Sequence, residues 1–390
     1  MHDPRIDRLA DVLVRYSTRV KKGDLVSISG ELSASPMVNA LYAAVLRAGG
    51  HPFVYPRSED QIELLLTHGS DEQISFTNPI LQFIYDKVDV SIGIWAEQNS
   101  RYLSRFDPKK LALHAQGRKP LMATFMRREV LKDQPGGLRW VGTQYPTQAM
   151  AQEAEMSLAQ YADFVYRAGL LHLPDPVAAW QAVHERQQRV VDFLSTKKVL
   201  RFRVPPHDGH DGTDLTVQVG APAKWINCSG QENFPDGEVF AGPQGVDGHV
   251  NYTFPAVYNG REATGIRLVF KGGRVVDASA TKGEDFLFKM LDQDPGARTL
   301  GEIAIGTNYG ITDFSRNTLF DEKIGGTFHA AVGAGYPVSG NSNESGLHWD
   351  MVCDLRKRGT LPGGTIEADG AVFHKDGRFL DPSFPQPTAG

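Results

Sequence analysis

The spacing of apolar residues changes near residue 195, and the two spacings call for different layer architectures. Before that point helical and strand signals alternate. Over residues 5–19, Ile6, Leu9, Leu13 and Val14 share one face of a helix. DLVSISG (24–30) then reads as a short strand, PMVNALYAAVLRAGG (36–50) as a helix ended by glycines, and HPFVYP (51–56) as a strand. QIELLLTHG (61–69) and NPILQFIYDK (78–87) read as helices, and VDVSIGIWA (88–96) has the β-branched alternation of a strand. PLMATFM (120–126) and LRWVGTQYP (138–146) read as further strands, and residues 147–170 as helical. Such a series predicts an open α/β domain with a largely parallel sheet over residues 1–195, closed by a linking helix over 177–195.

From about residue 198 the signals are short alternating strands: VLRFRVP, DLTVQVG, GIRLVFKGGRVVDASA and AVFHKDGRFL. KGGR and KDGR read as hairpin turns. The expected fold class is therefore α/β plus α+β, with a β-rich domain over 196–390.

Composition narrows the function. Lys and Arg number 41 against 46 Asp and Glu, a net charge of −5, which excludes the strong basic field of a typical nucleic-acid binder. No apolar stretch approaches 18 residues, and the N-terminal residues lack the apolar run of a secretory signal. Two cysteines, Cys228 and Cys353, cannot build a disulfide framework and fit a reducing compartment. The expectation is a cytoplasmic protein with no membrane and no nucleic-acid partner.

Several short motifs carry no chemistry. His184-Glu185 opens like a zincin helix, but residue 188 is Gln where a second histidine is needed. No G-x-S-x-G elbow and no P-loop occur, and the G-x-G at Gly333 and Gly335 does not sit between a strand and a helix. The His- and Asp-rich run at 205–214 reads as a polar turn.

Four segments of the second half stand apart: NFPDGEVFAGP (233–243), LGEIAIGTN (300–308), FDEKIGGTFHAAVGAGYP (320–337) and NESGLHWDMV (343–352). Each sets a carboxylate or imidazole inside or beside an apolar, strand-like stretch, where a charge is costly unless paired or bound to a metal. Alternation puts His348 and Asp350 on one face of a strand and Leu347, Trp349 and Met351 on the other. The same logic sets Glu302 opposite Ile303 and Ile305, and His329 opposite Phe328 and Ala330, while Glu238 follows a Pro-Asp-Gly turn. Three carboxylates and two imidazoles suit zinc, cobalt or manganese. Five ligands exceed one tetrahedral zinc, so two divalent ions sharing a bridging carboxylate fit better.

These blocks closely resemble the M29 family of metallo-aminopeptidases, the aminopeptidase T and aminopeptidase S group. QYPTQAMAQEAEMSLAQYADFVYRA (144–168) in the first half is also similar. The resemblance implies a two-domain, homodimeric enzyme that removes N-terminal residues from peptides with a free N-terminus. By motif, its metal ligands fall on Glu238, Glu302, His329, His348 and Asp350, and its tyrosine on Tyr336 in G-x-x-Y-P.

The expected reaction is attack of a metal-bridged water on the scissile carbonyl. Glu302 is the bridging carboxylate in this reading and Tyr336 a hydrogen-bond donor to the oxyanion. Glu322 is either the general base or a surface charge beside Lys323. Two alternatives remain. His329, His348 and Asp350 alone form a two-histidine, one-carboxylate set, as in mononuclear iron ring-cleaving dioxygenases acting on dihydroxypyridines, which resemble this family in their C-terminal half. A structural metal or a small-molecule binder is the non-enzymic reading.

Overall fold

The computed structural model describes residues 3–258 and 260–387. They form two compact units. One takes the chain up to Trp180 together with Gly230–Pro235, and the other takes Gln181–Ser229 together with the chain from Asp236 onward.

The first unit is built on a parallel sheet. Strands β1 (Leu25–Glu31), β2 (His51–Arg57), β3 (Val90–Trp95) and β4 (Arg139–Gln144) run in the order β2-β1-β3-β4, with Asn233–Phe234 added beside β4, and every neighbouring pair is parallel. Parallel neighbours need long crossovers, which the intervening helices supply. Val26, Ile28, Val90, Ile92 and Ile94 are fully buried, as strands covered on both faces require. The helix Ser35–Arg47 buries Met37, Ala40, Leu41, Ala44 and Val45 at three- and four-residue spacing.

Two local expectations fail here. PLMATFM lies inside a 22-residue helix, Pro108–Glu129, not in a strand. Its inward residues, Gly117, Leu121, Thr124 and Arg128, follow helical spacing over a longer window than the apolar run itself. Gln82 on the helix Pro79–Lys87 donates to Thr124 Oγ1 at 2.9 Å. The helical stretch at 147–170 is two helices, Gln148–Glu153 and Leu158–Ala168. The chain breaks at Glu155 (φ 58°), and Ser157 with Gln160 restarts it through a capping box.

The second unit is built on two large antiparallel sheets, with two small two-stranded ones beside them. An eight-stranded sheet runs from Arg274–Ser279 at one edge to Arg378–Phe379 at the other. The KGGR and KDGR segments make two of its hairpins, as their turn chemistry predicts. The second sheet carries β5 (Trp225–Cys228), β6 (Glu238–Ala241), β7 (Leu300–Gly306), β8 (Thr327–Gly333) and β9 (His348–Asp354), in the order β9-β8-β7-β6-β5. One face of it closes the core. Val239, Ile303, Ile305, Phe328, Ala330, Val332, Trp349 and Met351 all point that way. Phe328 meets Phe202 of the eight-stranded sheet at a ring distance of 4.4 Å. The opposite face positions the charged residues.

Candidate metal centre

Strand alternation assembles the centre on one face of the five-stranded sheet. Glu302, Ala331 and Asp350 lie side by side across β7, β8 and β9. His329 is two residues from Ala331 in one direction, opposite Ala304, and His348 lies in the other, opposite Gly333. Glu238 projects from β6 opposite Gly306. Strands are about 4.8 Å apart and same-face neighbours about 6.7 Å, so long side chains on the flanking rows converge over the central one. The central residue, Ala331, is fully buried, and its methyl group is the smallest side chain that can stand between Glu302 and Asp350.

Two glycines make this register possible. A bulge at Gly301 keeps Leu300 in the core although it stands two residues from Glu302. A Cβ at Gly301 would lie 2.3 Å from the Ala334 carbonyl oxygen. Gly237, at φ +134°, turns the chain into Glu238. Gln187, fully buried, then ties that strand down, donating to the Cys228 and Glu238 carbonyls at 2.8 and 3.0 Å and accepting from Thr307 Oγ1 at 3.0 Å.

The five side chains meet at their polar tips. His329 Nε2 lies 3.0 Å from Glu302 Oε1, 3.5 Å from Glu238 Oε2 and 3.8 Å from Asp350 Oδ1. His348 Nε2 lies 3.4 Å from Asp350 Oδ1 and 4.0 Å from Glu302 Oε2. Both imidazoles are oriented from behind. His329 Nδ1 donates to the Glu322 carbonyl at 3.0 Å and His348 Nδ1 to the Ala334 carbonyl at 2.8 Å. A carbonyl only accepts, so Nδ1 carries the hydrogen and Nε2 faces the carboxylates.

Tyr336 packs its ring edge against His348 at 5.1 Å and against Phe240 at 5.8 Å. Glu322 is not a surface charge. Its side chain is 15% exposed, and Lys323, which contacts it, is fully buried. Lys323 and Asp236, also buried, are members of the cluster that the sequence did not single out. Lys323 stands in FDEKIGGTFH between apolar and glycine residues, a setting that an exposed Glu-Lys pair can share.

The electrostatics fit a cation. Burial alone would lower both histidines, but the neighbouring carboxylates outweigh it and raise each to about 10, chiefly Glu302 for His329 and Asp350 for His348. Burial pushes Glu238 up to about 8 despite Lys323. Burial also opposes ionisation of Asp350, but His348 holds it below the usual carboxylate range. Glu238 Oε2 and Asp350 Oδ1 are buried with no hydrogen-bond partner among the described residues. Asp236, Glu238 and Glu322 lie against the Lys323 ammonium, and Glu302 and Asp350 against the imidazoles; with the imidazoles neutral, as metal ligands must be, these five carboxylates and one ammonium carry a formal charge of −4. Such an excess in a buried site calls for cations. Three overlapping triads of ligand atoms each fall within 4.8 Å: Glu238-Glu302-His329, Glu302-His348-Asp350 and Glu322-His329-Asp350. The donor set suits a borderline divalent metal.

Known proteins share this architecture. Residues 2–379 match the family described as thermophilic metalloprotease (M29). Aminopeptidase 2 of Geobacillus stearothermophilus is 28% identical over 364 residues, spanning 86% of this chain and 85% of that one. Wild-type AmpT from Thermus thermophilus matches the fold with a TM-score of 0.81 at 22% identity, over 97% of this chain and 99% of that one. A 2,5-dihydroxypyridine dioxygenase from Pseudomonas putida KT2440 matches with a TM-score of 0.57 at 12% identity, over 97% of each chain. With nearly its whole length matched, this chain belongs to the thermophilic metalloprotease (M29) family.

Proposed function

We propose that the chain is a metallo-aminopeptidase whose second unit binds two divalent ions and hydrolyses the first peptide bond of substrates with a free N-terminus. The observation that carries this reading is Glu302. Its two oxygens face two different imidazoles, Oε1 toward His329 and Oε2 toward His348. A carboxylate so placed is suited to bridging two ions, one held with Glu238 and His329 and the other with His348 and Asp350. Two divalent ions also cancel the formal charge of the cluster, whereas one leaves half of it uncompensated. That balance favours this reading over mononuclear iron chemistry, which would use His329, His348 and Asp350 and leave Glu238 and Glu302 without a role at the metal.

When bound, the ions supply Lewis acidity, which polarises a carbonyl and makes water more acidic. The rest falls to the chain. Glu322, inside the cluster and with its acidity lowered by burial, accepts a proton from the attacking water and returns it to the leaving amine. Tyr336 donates a hydrogen bond to the carbonyl oxygen as it gains charge. Desolvation and the surrounding carboxylates keep its phenol protonated far above neutral pH, as that role requires. The finer expectations of zinc, cobalt or manganese, a homodimer, and a cytoplasmic location belong to the same proposal.

The test uses full-length protein loaded separately with each metal. A leucyl anilide and a peptide mixture should release amino acids, chelator should stop the release, and an N-acetylated peptide should resist. Metal analysis should give about two ions per chain. One iron per chain with oxygen consumption would favour the dioxygenase reading instead.

A further inference from the structure

The buried lysine has no part in the reaction just described, yet it lies against its carboxylates. Lys323 follows the short helix Thr318–Asp321, and the backbone around it is fixed: its N–H donates to the Phe320 carbonyl at 3.1 Å and its carbonyl accepts from Asn308 N at 3.0 Å. Its Nζ contacts Glu322 Oε1 and lies 3.5 Å from Glu238 Oε1 and 3.9 Å from Asp236 Oδ1. Each carboxylate has business elsewhere. Glu238 turns Oε2 to His329 at 3.5 Å, and Glu322 shares a triad with His329 and Asp350. An apolar side chain of the same length would fill this space without the desolvation cost of an ammonium, so packing alone does not account for the charge.

We propose that Lys323 is a positioning residue of the metal centre: its ammonium holds one oxygen of Glu238 and one of Glu322, leaving the other oxygen of each free for the centre. The part concerning Glu322 rests on the hydrolase reading above; the part concerning Glu238 and the metal does not.

The sign of one effect separates this from the alternatives. Removing a positive charge beside a cation site tightens cation binding by Coulomb attraction alone. Losing a group that orients a ligand weakens it, typically about 10–100-fold. The experiment compares full-length wild-type protein with Lys323→Met, Lys323→Gln and Lys323→Arg. Equilibrium dialysis and the visible absorption of cobalt(II) read affinity and ligand geometry. The proposal predicts at least about 10-fold weaker cobalt binding and an altered spectrum in the Met and Gln variants, with partial recovery in Arg. At saturating metal, kcat should fall while KM changes little. In a Glu238→Gln background, Lys323→Met should weaken cobalt binding little further. Unchanged or tighter binding in Lys323→Met, or full additivity with Glu238→Gln, overturns the proposal. Should the Met variant not fold by circular dichroism, the Gln variant decides on the same readings. If wild-type protein releases no amino acids, the hydrolase reading fails while the dialysis result still judges Lys323.

Discussion

Two histidines of the same unit are sealed completely from solvent, and their surroundings drive them in opposite directions. His329, on the charged face of β8, is raised to about 10 because Glu302, Glu238 and Asp350 outweigh the cost of burial. His374, on the strand Ala371–Lys375 of the eight-stranded sheet, is lowered to about 3 by burial alone. Neither ring nitrogen of His374 has a hydrogen-bond partner among the described residues, and its ring stands edge-on to Phe379 at 4.9 Å. Burial by itself neutralises an imidazole, whereas burial among carboxylates charges it until a metal displaces the proton. The first environment belongs to a core and the second to a binding site.

The largest effect that would break this contrast is the loss of one carboxylate. Glu302→Ala should remove most bound metal and lower turnover of a leucyl anilide by roughly 10³-fold or more. Elemental analysis beside the assay checks it, and wild-type turnover in a demetallated Glu302→Ala protein would refute its role. Ala331→Leu is next. It adds no charge and removes no ligand, yet it fills the space over which Glu302 and Asp350 converge. Metal affinity should fall by at least about 10-fold, measured by dialysis, while far-ultraviolet circular dichroism stays unchanged.

The pH dependence sharpens the contrast. In metal-free protein His329 and His348 sit near 10 against 6.5 for a free histidine. Their favourable contribution is complete below about 6.5 and is lost as pH rises through about 10. Glu238, raised from 4.5 to about 8, adds a loss in the same direction. Metal-free protein should therefore melt at lower temperature as pH rises from 6.5 toward 10. Metal affinity should increase over the same window, with close to three protons released per chain near neutral pH, two from the imidazoles and most of one from Glu238. Calorimetry of binding in two buffers of different ionisation enthalpy counts them; no release would mean the imidazoles are neutral before metal arrives. His374 gives the smallest effect, with the opposite sign. Its neutral form is favoured above about 6.5, so stability falls as pH drops from there toward 3. His374→Phe should flatten that acid limb of the melting profile and leave metal binding untouched.

Both environments were unequally visible in the sequence. Alternation in LHWDM was enough to separate His348 and Asp350 from Trp349 and Met351, because a strand has only two faces. The hairpin turns and the parallel sheet were legible for the same reason: the turn residues and the apolar runs act locally. PLMATFM misled because seven residues are too few to distinguish a buried strand from part of a helix, and the deciding partner, Gln82, is 42 residues from Thr124. Lys323 was hidden because an exposed Glu-Lys pair and a buried one read alike in sequence. Only the return of Asp236 and Glu238, more than eighty residues earlier, makes it an interior group.

Crystals loaded with cobalt or zinc and measured at the metal's absorption edge would display the ions and the side chains that hold them. Two anomalous peaks per chain are expected, about 3.5–4 Å apart, with Glu302 touching both, Glu238 and His329 on one, and His348 and Asp350 on the other. A single peak, or peaks that leave Glu302 bound to neither ion, would contradict that arrangement.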